Sequence, residues 1–411
     1  MRTRIPVLVV GAGPTGLLTA IELRRRDVDV EVIEVQRDLA GRSYALALHA
    51  ATLDVLRESG LGEERLPGLA VERLRIEGSA SEVVSIPLQS AEGAPRALRV
   101  VPQAALERVL RERLDELGTP VHWCHRLASL GPDATGALAT VERIETTPSG
   151  FTPGVAVSLV ADTIEVRADV VIGADGHASA VRRELGIEVT PYAPAGAYAA
   201  FDVEGVHDEE SVTRIALTPD RAATRWPLGR DRWRWTLEVD PSRNLSEPRF
   251  KSRHDWEPAG VLPRDPARTL DDLLERRYPW LRPQEPDRVV WSAVVSFDRT
   301  VADAWGAGRS WLVGDAAHLG DPLGFQSMNV GLQEASALAQ ATAAVLAGGG
   351  DAPLESYGAA SRETWMRTIA RPAPSGSTPG WLVPLASRFP GCLPASGGDL
   401  EPLLSRLGMG S

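Results

Sequence analysis

The chain has 411 residues, 43% of them hydrophobic, and a formal net charge of −11. That length accommodates two domains and a sizeable core, and the acidity speaks against a nucleic-acid partner, which needs a basic face. Lys251 is the only lysine and Cys124 and Cys392 the only cysteines, so lysine chemistry has one candidate and the two cysteines make neither a CxxC nor a metal cluster.

From the start, basic residues and apolar Val7–Val10 imitate a signal peptide, but Gly11–Pro14 interrupts the run. No other segment is apolar for long enough to span a membrane. The expectation is a soluble, cytoplasmic protein with two free thiols and no metal; its oligomeric state is not legible. "VLVVGAGPTGLLTAIELRRRDVDVEVIE" (7–34) reads as strand, tight turn, helix and strand. Val7–Val10 suits a buried parallel strand, Pro14 a first helical turn, and Leu17, Ala20, Ile21 and Leu23 repeat at helical spacing. A short helix is predicted over 50–59, stopped by Gly60, and strands lie within 72–88. "PQAALERVLRERLDELG" (102–118) is a helix whose Leu106, Val109, Leu110 and Leu114 share a face. "VRADVVIGADG" (166–176) returns to a strand and a turn.

Residues 197–239 alternate as strands do, most clearly "RWRWTLEV" (232–239), with Trp233, Trp235, Leu237 and Val239 on one face. The 240–285 stretch is mostly irregular, with a short helix near 269–277. Strands recur at 288–297 and 310–315, and a long helix runs from about Ser327 to Leu346. This order predicts an α/β fold: a Rossmann-like dinucleotide domain (1–70, 100–187 and 286–370) with an inserted β-rich domain (71–99 and 188–285). Residues 371–411, rich in Pro, Gly and Ser, form a C-terminal tail.

Three segments could hold one dinucleotide. Gly11, Gly13 and Gly16 form GxGxxG between a strand and a helix, with Glu34 at the end of the next strand. The glycines suit a tight turn, close approach of a pyrophosphate and helix–strand packing, and the carboxylate suits a ribose hydroxyl. The motif alone does not separate NAD from FAD. Asp175–Gly176, with Ser179 and Arg182 after it, would equally make an ordinary Asp-Gly turn. "WLVGDAAHLGDPLGFQSMNVG" (311–331) brings a strand into Gly314–Asp315 and ends in a helix whose N-terminus favours negative charge, as on the pyrimidine edge of a reduced flavin.

These motifs, in this order, resemble those of the FAD-dependent aromatic hydroxylases, the single-component flavoprotein monooxygenases of para-hydroxybenzoate hydroxylase type. The resemblance covers roughly residues 1–365. GAGPTG with Glu34 matches the FAD fingerprint, GADGHASAVRR the motif implicated in FAD and nicotinamide binding, and GDAAHLGDPLGFQSMNVGLQEA the third motif. Arg42 resembles an arginine near flavin and nicotinamide, and Gln103 a flavin-contacting glutamine. The resemblance implies that Asp315 holds the ribityl–phosphate region, that Pro322 lies beside the ring with Gly324 in the same loop, and that Asn329 and its neighbours meet the pyrimidine edge. His318 is a candidate for proton transfer, although the family's histidine here is more often structural, and Asp321 reads as a solvated loop charge.

The implied reaction consumes NADPH or NADH, which binds transiently, and inserts one atom of dioxygen into an aromatic or polyketide-like molecule through a flavin hydroperoxide. Trp226, Trp233, Trp235 and Trp291 are candidates for lining the substrate pocket, or for packing the sheet. Phe325 and Ser327 stand where the family has glycine, and Glu334 where it has aspartate. A halogenase is a weaker reading, since "RWRWTLEV" lacks the Gly and Pro of its motif. An isoprenoid-type reductase and a non-catalytic FAD-binding protein would suit the same fold.

Overall fold

The structure, a computed structural model, describes residues 1–39, 46–88, 98–134, 136–148, 156–205, 211–229, 231–240, 265–282, 288–389 and 391–410. Arg42 and Lys251 lie outside the described residues. The first third of the chain forms β1 (Arg4–Val10), α1 (Pro14–Arg24), β2 (Val30–Glu34), β3 (Ala47–Leu48), α2 (Ala50–Glu58), β4 (Leu69–Val71), β5 (Arg73–Glu77), β6 (Val83–Pro87), β7 (Leu98–Val100) and α3 (Gln103–Glu116). There follow β8 (Val121–Trp123), β9 (His125–Pro132), β10 (Ala137–Pro148), β11 (Ala156–Gly173), α4 (Ala180–Glu184), β12 (Val189–Glu204), β13 (Val212–Leu217), β14 (Ala222–Gly229) and β15 (Arg232–Val239). The remainder forms α5 (Pro266–Arg277), β16 (Arg288–Ala302), β17 (Gly306–Ala307), β18 (Ser310–Leu312), β19 (His318–Leu319), α6 (Gln326–Leu346), α7 (Ala352–Thr368), β20 (Ala373–Pro374), α8 (Leu400–Arg406) and β21 (Met409–Gly410).

One sheet has the order β17-β18-β11-β1-β2-β8, with the hairpin β9–β10 paired to β11. Its central pairs, β18–β11, β11–β1, β1–β2 and β2–β8, are all parallel. Parallel strands are buried on both faces and read as continuous apolar runs, hence the fully buried Val7, Leu8, Val9 and Val170, Val171, Ile172. Helix α1 is apolar nearly all round because it packs between α3 and α6. In α3 the residues Leu106, Val109, Leu110 and Leu114 are buried as their spacing requires, and Gly118 follows at φ +72.

The second sheet has the order β19-β16-β12-β15-β14-β13-β5-β6. Strand β16, expected in the dinucleotide domain, belongs here, paired along its length to β12. Its alternation suits a sheet with two unlike faces, and its long partner β12 begins soon after the Asp175–Gly176 turn. Trp233, Trp235 and Leu237 enter one core with Phe201, Leu270, Leu274 and Tyr278, under α5. The other face is not open to water. It carries Tyr198, Ile215, Leu217 and Val295 against Leu382, Leu385, Phe389, Leu393, Leu400 and Leu404 of the C-terminal segment. The expected tail is therefore a packed part of the fold. Leu400, Leu403, Leu404 and Leu407 do repeat at helical spacing and are the buried face of α8, whereas Leu382, Leu385 and Leu393 are spaced irregularly among Pro and Gly and no helix or strand period announces them. A small third sheet, β3-β7-β4, lies beside the two. No helix among the described residues is long and apolar enough to cross a membrane.

Candidate cofactor and active site

Strands β1, β11 and β18 are parallel neighbours, so the three motifs that follow them emerge along one carboxyl edge, where open α/β sheets bind ligands. At the first, Gly11 adopts φ +106, and a Cβ there would lie 2.4 Å from the Ala174 carbonyl oxygen. A Cβ on Gly16 would lie 2.0 Å from the Gly11 oxygen. Gly13 is extended (φ −72) and precedes α1 without any side-chain cap, with Pro14 at the first helical position. The N–H groups of that first turn are thereby left for a ligand. Glu34 is buried: its Oε2 accepts the Ala12 N–H at 2.8 Å and its Oε1 the Gln36 N–H at 2.9 Å. It locks the glycine turn from behind.

At the second motif, Asp175 is spent on structure. Its Oδ2 accepts the N–H groups of Ala180 (2.6 Å) and Val181 (3.2 Å), and Ser179 caps α4 by accepting the Arg182 N–H at 3.0 Å. Burial pushes the Asp175 carboxyl up. Arg182 donates to the Ala316 carbonyl at 2.7 Å, tying this turn to the third motif. Gly176, at φ +76, and His177 face the cavity that all three motifs share.

That cavity has a volume of about 320 Å³. Gly13, Pro14 and Thr15 of the first motif line it, with Gly176 and His177 of the second and Asp315, Pro322, Phe325, Ser327 and Met328 of the third. Gln103, at the start of α3, also lines it, and Ser296–Asp298 of β16 close it from the second sheet. Helix α6, like α1, starts here without a side-chain cap. Two helix N-termini, each worth about half a positive charge, thus face one space. The cradle fits the phosphates and the electron-rich ring edge of a flavin dinucleotide.

Several expected site residues are engaged elsewhere. His318 is not at the cavity: its Nε2 meets Glu334 Oε2 at 3.0 Å and its ring stacks on Trp365, centroids 4.1 Å apart. Glu334 also accepts the Gly314 N–H (2.9 Å) and the Trp305 Nε1–H (3.1 Å). The longer carboxylate at this position holds the third-motif strand, turn and helix together. Asp321 is no solvated charge. It accepts from Arg299 Nε at 2.5 Å and from the Tyr198 hydroxyl, and Arg299 Nη2 reaches that hydroxyl at 2.8 Å. Burial, then the Asp321 charge, raises the Tyr198 pKa. Both partners come from the second sheet, so the Pro322 loop is clamped to it. The tryptophans divide: Trp233 and Trp235 lie in the core under α5, the Arg225 guanidinium 4.7 Å from the Trp233 ring centre. Half-buried Trp291 lies under Arg234, at 5.0 Å. Trp226 reaches a cavity residue, with its ring 5.2 Å from that of Phe325.

Asn329, expected at the pyrimidine edge, is fully buried and occupied. Its Oδ1 accepts the His49 N–H at 2.7 Å, and its Nδ2 donates to the carbonyls of Ala47 and Phe325, both at 2.8 Å. Its neighbours Ser327 and Met328, not its side chain, face the cavity. His49, which no motif marks, completes this support. Its Nε2 lies 2.9 Å from the Gly324 carbonyl and its Nδ1 2.8 Å from Ser396 Oγ. A carbonyl only accepts, so Nε2 carries the proton and Nδ1 accepts from Ser396, whose oxygen in turn accepts from Gln333 at 3.0 Å. Burial lowers the His49 pKa to about 3, which keeps the ring neutral. Gln326 anchors the same turn to the C-terminal segment through Leu393, Ala395 and Gly391. The only sequence signals for this network are an isolated His before α2 and polar residues inside an apolar helix.

Comparison with known proteins follows the same lines. A 12-dehydrotetracycline 5-monooxygenase/anhydrotetracycline 6-monooxygenase of Streptomyces rimosus is 30% identical over 359 residues, which cover 84% of this chain and 64% of that protein. The tetracenomycin B2 monooxygenase-dioxygenase of Streptomyces olivaceus is 28% identical over 386 residues, covering 87% and 66%. The chain spans just under two thirds of the length of these relatives. The p-nitrophenol 4-monooxygenase of Pseudomonas putida shares the fold, with a TM-score of 0.72 at 21% identity over 98% of this chain and 92% of that one. The anhydrotetracycline hydroxylase of Streptomyces rimosus superposes with a TM-score of 0.63 at 26% identity, over 88% and 66%. The family profile described as FAD binding domain matches residues 4–371, and the chain therefore belongs to that family, the group of FAD-dependent hydroxylases that its three motifs resemble.

Proposed function

We propose that this protein is an FAD-dependent monooxygenase that consumes NADPH or NADH and hydroxylates an aromatic or polyketide-like small molecule in the cytoplasm. The balance is one substrate C–H, one dioxygen, one NAD(P)H and one proton giving one C–OH, one water and NAD(P)⁺. Bound FAD would supply the chemistry, accepting a hydride and then activating dioxygen. The chain's own residues bind, orient and exclude water. The α1 N-terminus and the Gly11–Gly16 turn suit the pyrophosphate, and Asp315 a ribityl hydroxyl. The uncapped start of α6 suits negative charge on the ring. Glu34, Gln103 and the Asp175–Gly176 turn support the cofactor from three further sides, and Arg42 would serve the transient nicotinamide. The division into a dinucleotide domain and an inserted substrate domain, with Ser296–Asp298 covering the ring site, belongs to the same reading.

The observation that carries it is the convergence of all three motifs, two uncapped helix starts and the second sheet on one cavity. The deciding experiment is turnover under labelled dioxygen with a panel of phenols and fused-ring polyketides. One labelled atom is expected in the organic product, at one NAD(P)H per product when coupling is tight. Substrate-stimulated NAD(P)H oxidation with no labelled product from any compound would make the protein a flavin oxidase or reductase. FAD binding with no stimulation at all would make it a non-catalytic flavoprotein.

A further inference from the structure

Phe325 precedes α6 in the left-handed region, at φ +56 and ψ 29. For a bulky side chain this is an outlier that neighbouring structure must hold in place, and such outliers collect at functional positions. Glycine would adopt the same backbone freely. The side chain kept here is 4% exposed. It fills the angle between Trp226 on the second sheet and Ala47, Val71, Leu98 and Val100 of the small sheet, while the residue itself forms one wall of the shared cavity. Behind it, Trp226 is fully buried, and its indole N–H has no acceptor among the described residues. A buried donor without a partner is costly and uncommon.

We infer that Phe325 is a specificity-determining residue that restricts the substrate to a one-ring aromatic. The inference rests on the proposed use of this cavity as the ring site. Its volume, about 320 Å³, lies at the lower end of what a single drug-sized ligand fills, and the reacting end of the cofactor must share it. The room left beside Pro322 suits one ring. The space that a fused-ring molecule would need lies where the Phe325 benzyl group stands, against the Trp226 ring 5.2 Å away.

The test is calorimetric titration of the FAD-loaded protein with a one-ring phenol and with anhydrotetracycline, a linear four-ring compound. Wild type is expected to bind the phenol and to bind the four-ring compound at least about tenfold more weakly. Phe325→Gly removes the wall and relieves the backbone; it should strengthen four-ring binding about tenfold or more. Phe325→Ala, which keeps the backbone strained, should shift it in the same direction, and Phe325→Leu, which keeps most of the bulk, should stay near wild type. Four-ring affinity in wild type equal to that for the phenol overturns the inference. So does Phe325→Gly or Phe325→Ala with full FAD content and no gain in four-ring binding. Calorimetry needs no turnover, so a size switch without labelled product sinks the monooxygenase reading alone. Labelled product without a size switch sinks only the role of Phe325.

Discussion

His49 makes this protein sensitive to mild acid in a way that can be measured. In the unfolded chain its imidazole takes up a proton near its ordinary 6.5, whereas burial in the folded protein lowers that value to about 3. Folded-state protonation would also break the acceptor role of Nδ1 toward Ser396. The contribution is therefore fully present above pH 6.5 and is lost progressively as pH falls below it, because only the unfolded chain binds the proton. At pH 5 the folded ring is still neutral, and the loss relative to pH 7.5 comes to about 1.5 pH units, or roughly 2 kcal/mol at 1.36 kcal/mol per unit. The matching variant is His49→Gln, whose amide offers one donor toward Gly324 and one acceptor toward Ser396 but does not titrate. Urea denaturation of both proteins at pH 7.5 and pH 5 removes the common effect of other groups by difference. Wild type should lose about 2 kcal/mol more than His49→Gln over that interval. Equal losses would show that the ring is accessible to protons in the folded state, and the tautomer assigned to the His49–Ser396–Gln333 network would fall with it.

Asp315→Ala should weaken FAD binding by about 1.5–3 kcal/mol, the worth of a charged acceptor, read by titrating the apoprotein with FAD and following flavin fluorescence; an unchanged dissociation constant would remove Asp315 from the cofactor site. Asp321→Ala leaves Arg299 beside Tyr198 without its main carboxylate and should destabilise toward the low end of the ~3–5 kcal/mol typical of broken buried pairs, because Arg299 keeps 19% of its side-chain surface in water and Glu238 at 3.8 Å. Tyr198→Phe removes two hydrogen bonds, the one given to Asp321 and the one accepted from Arg299, and should cost about 2 kcal/mol by the same denaturation assay; a larger loss than for Asp321→Ala would invert the assigned order of the clamp.

Some of the reading from sequence transfers directly to the structure. Val7–Val10 followed by Gly11, Gly13, Pro14 and Gly16 leaves the backbone one workable course, because the next strand and helix must pass within van der Waals reach of the glycines. Leu106, Val109, Leu110 and Leu114 declare the buried face of α3, and Trp233, Trp235 and Leu237 share a face of β15 as their alternation indicates. What that alternation does not reveal is the cover of the other face. Arg234 and Thr236, on the opposite face, are buried as well: Arg234 is held by Asp202 and lies over the Trp291 ring, and the C-terminal segment packs against Tyr198, Ile215 and Leu217 of the same sheet.

Local chemistry alone thus determined the strand–turn–helix units and the order of three motifs, because steric limits on glycine and the periods of helix and strand act within a few residues. Tertiary structure decided which polar groups serve the cavity and which serve the frame. His49 meets Asn329 across 280 residues and Ser396 across 347, and Asp321 finds Tyr198 across 123. A hydrogen bond specifies a distance of about 3 Å between atoms and nothing about the chain between them. A histidine, an asparagine or an aspartate inside a cofactor motif therefore carries the same letters whether it touches the ligand or holds up the turn that does.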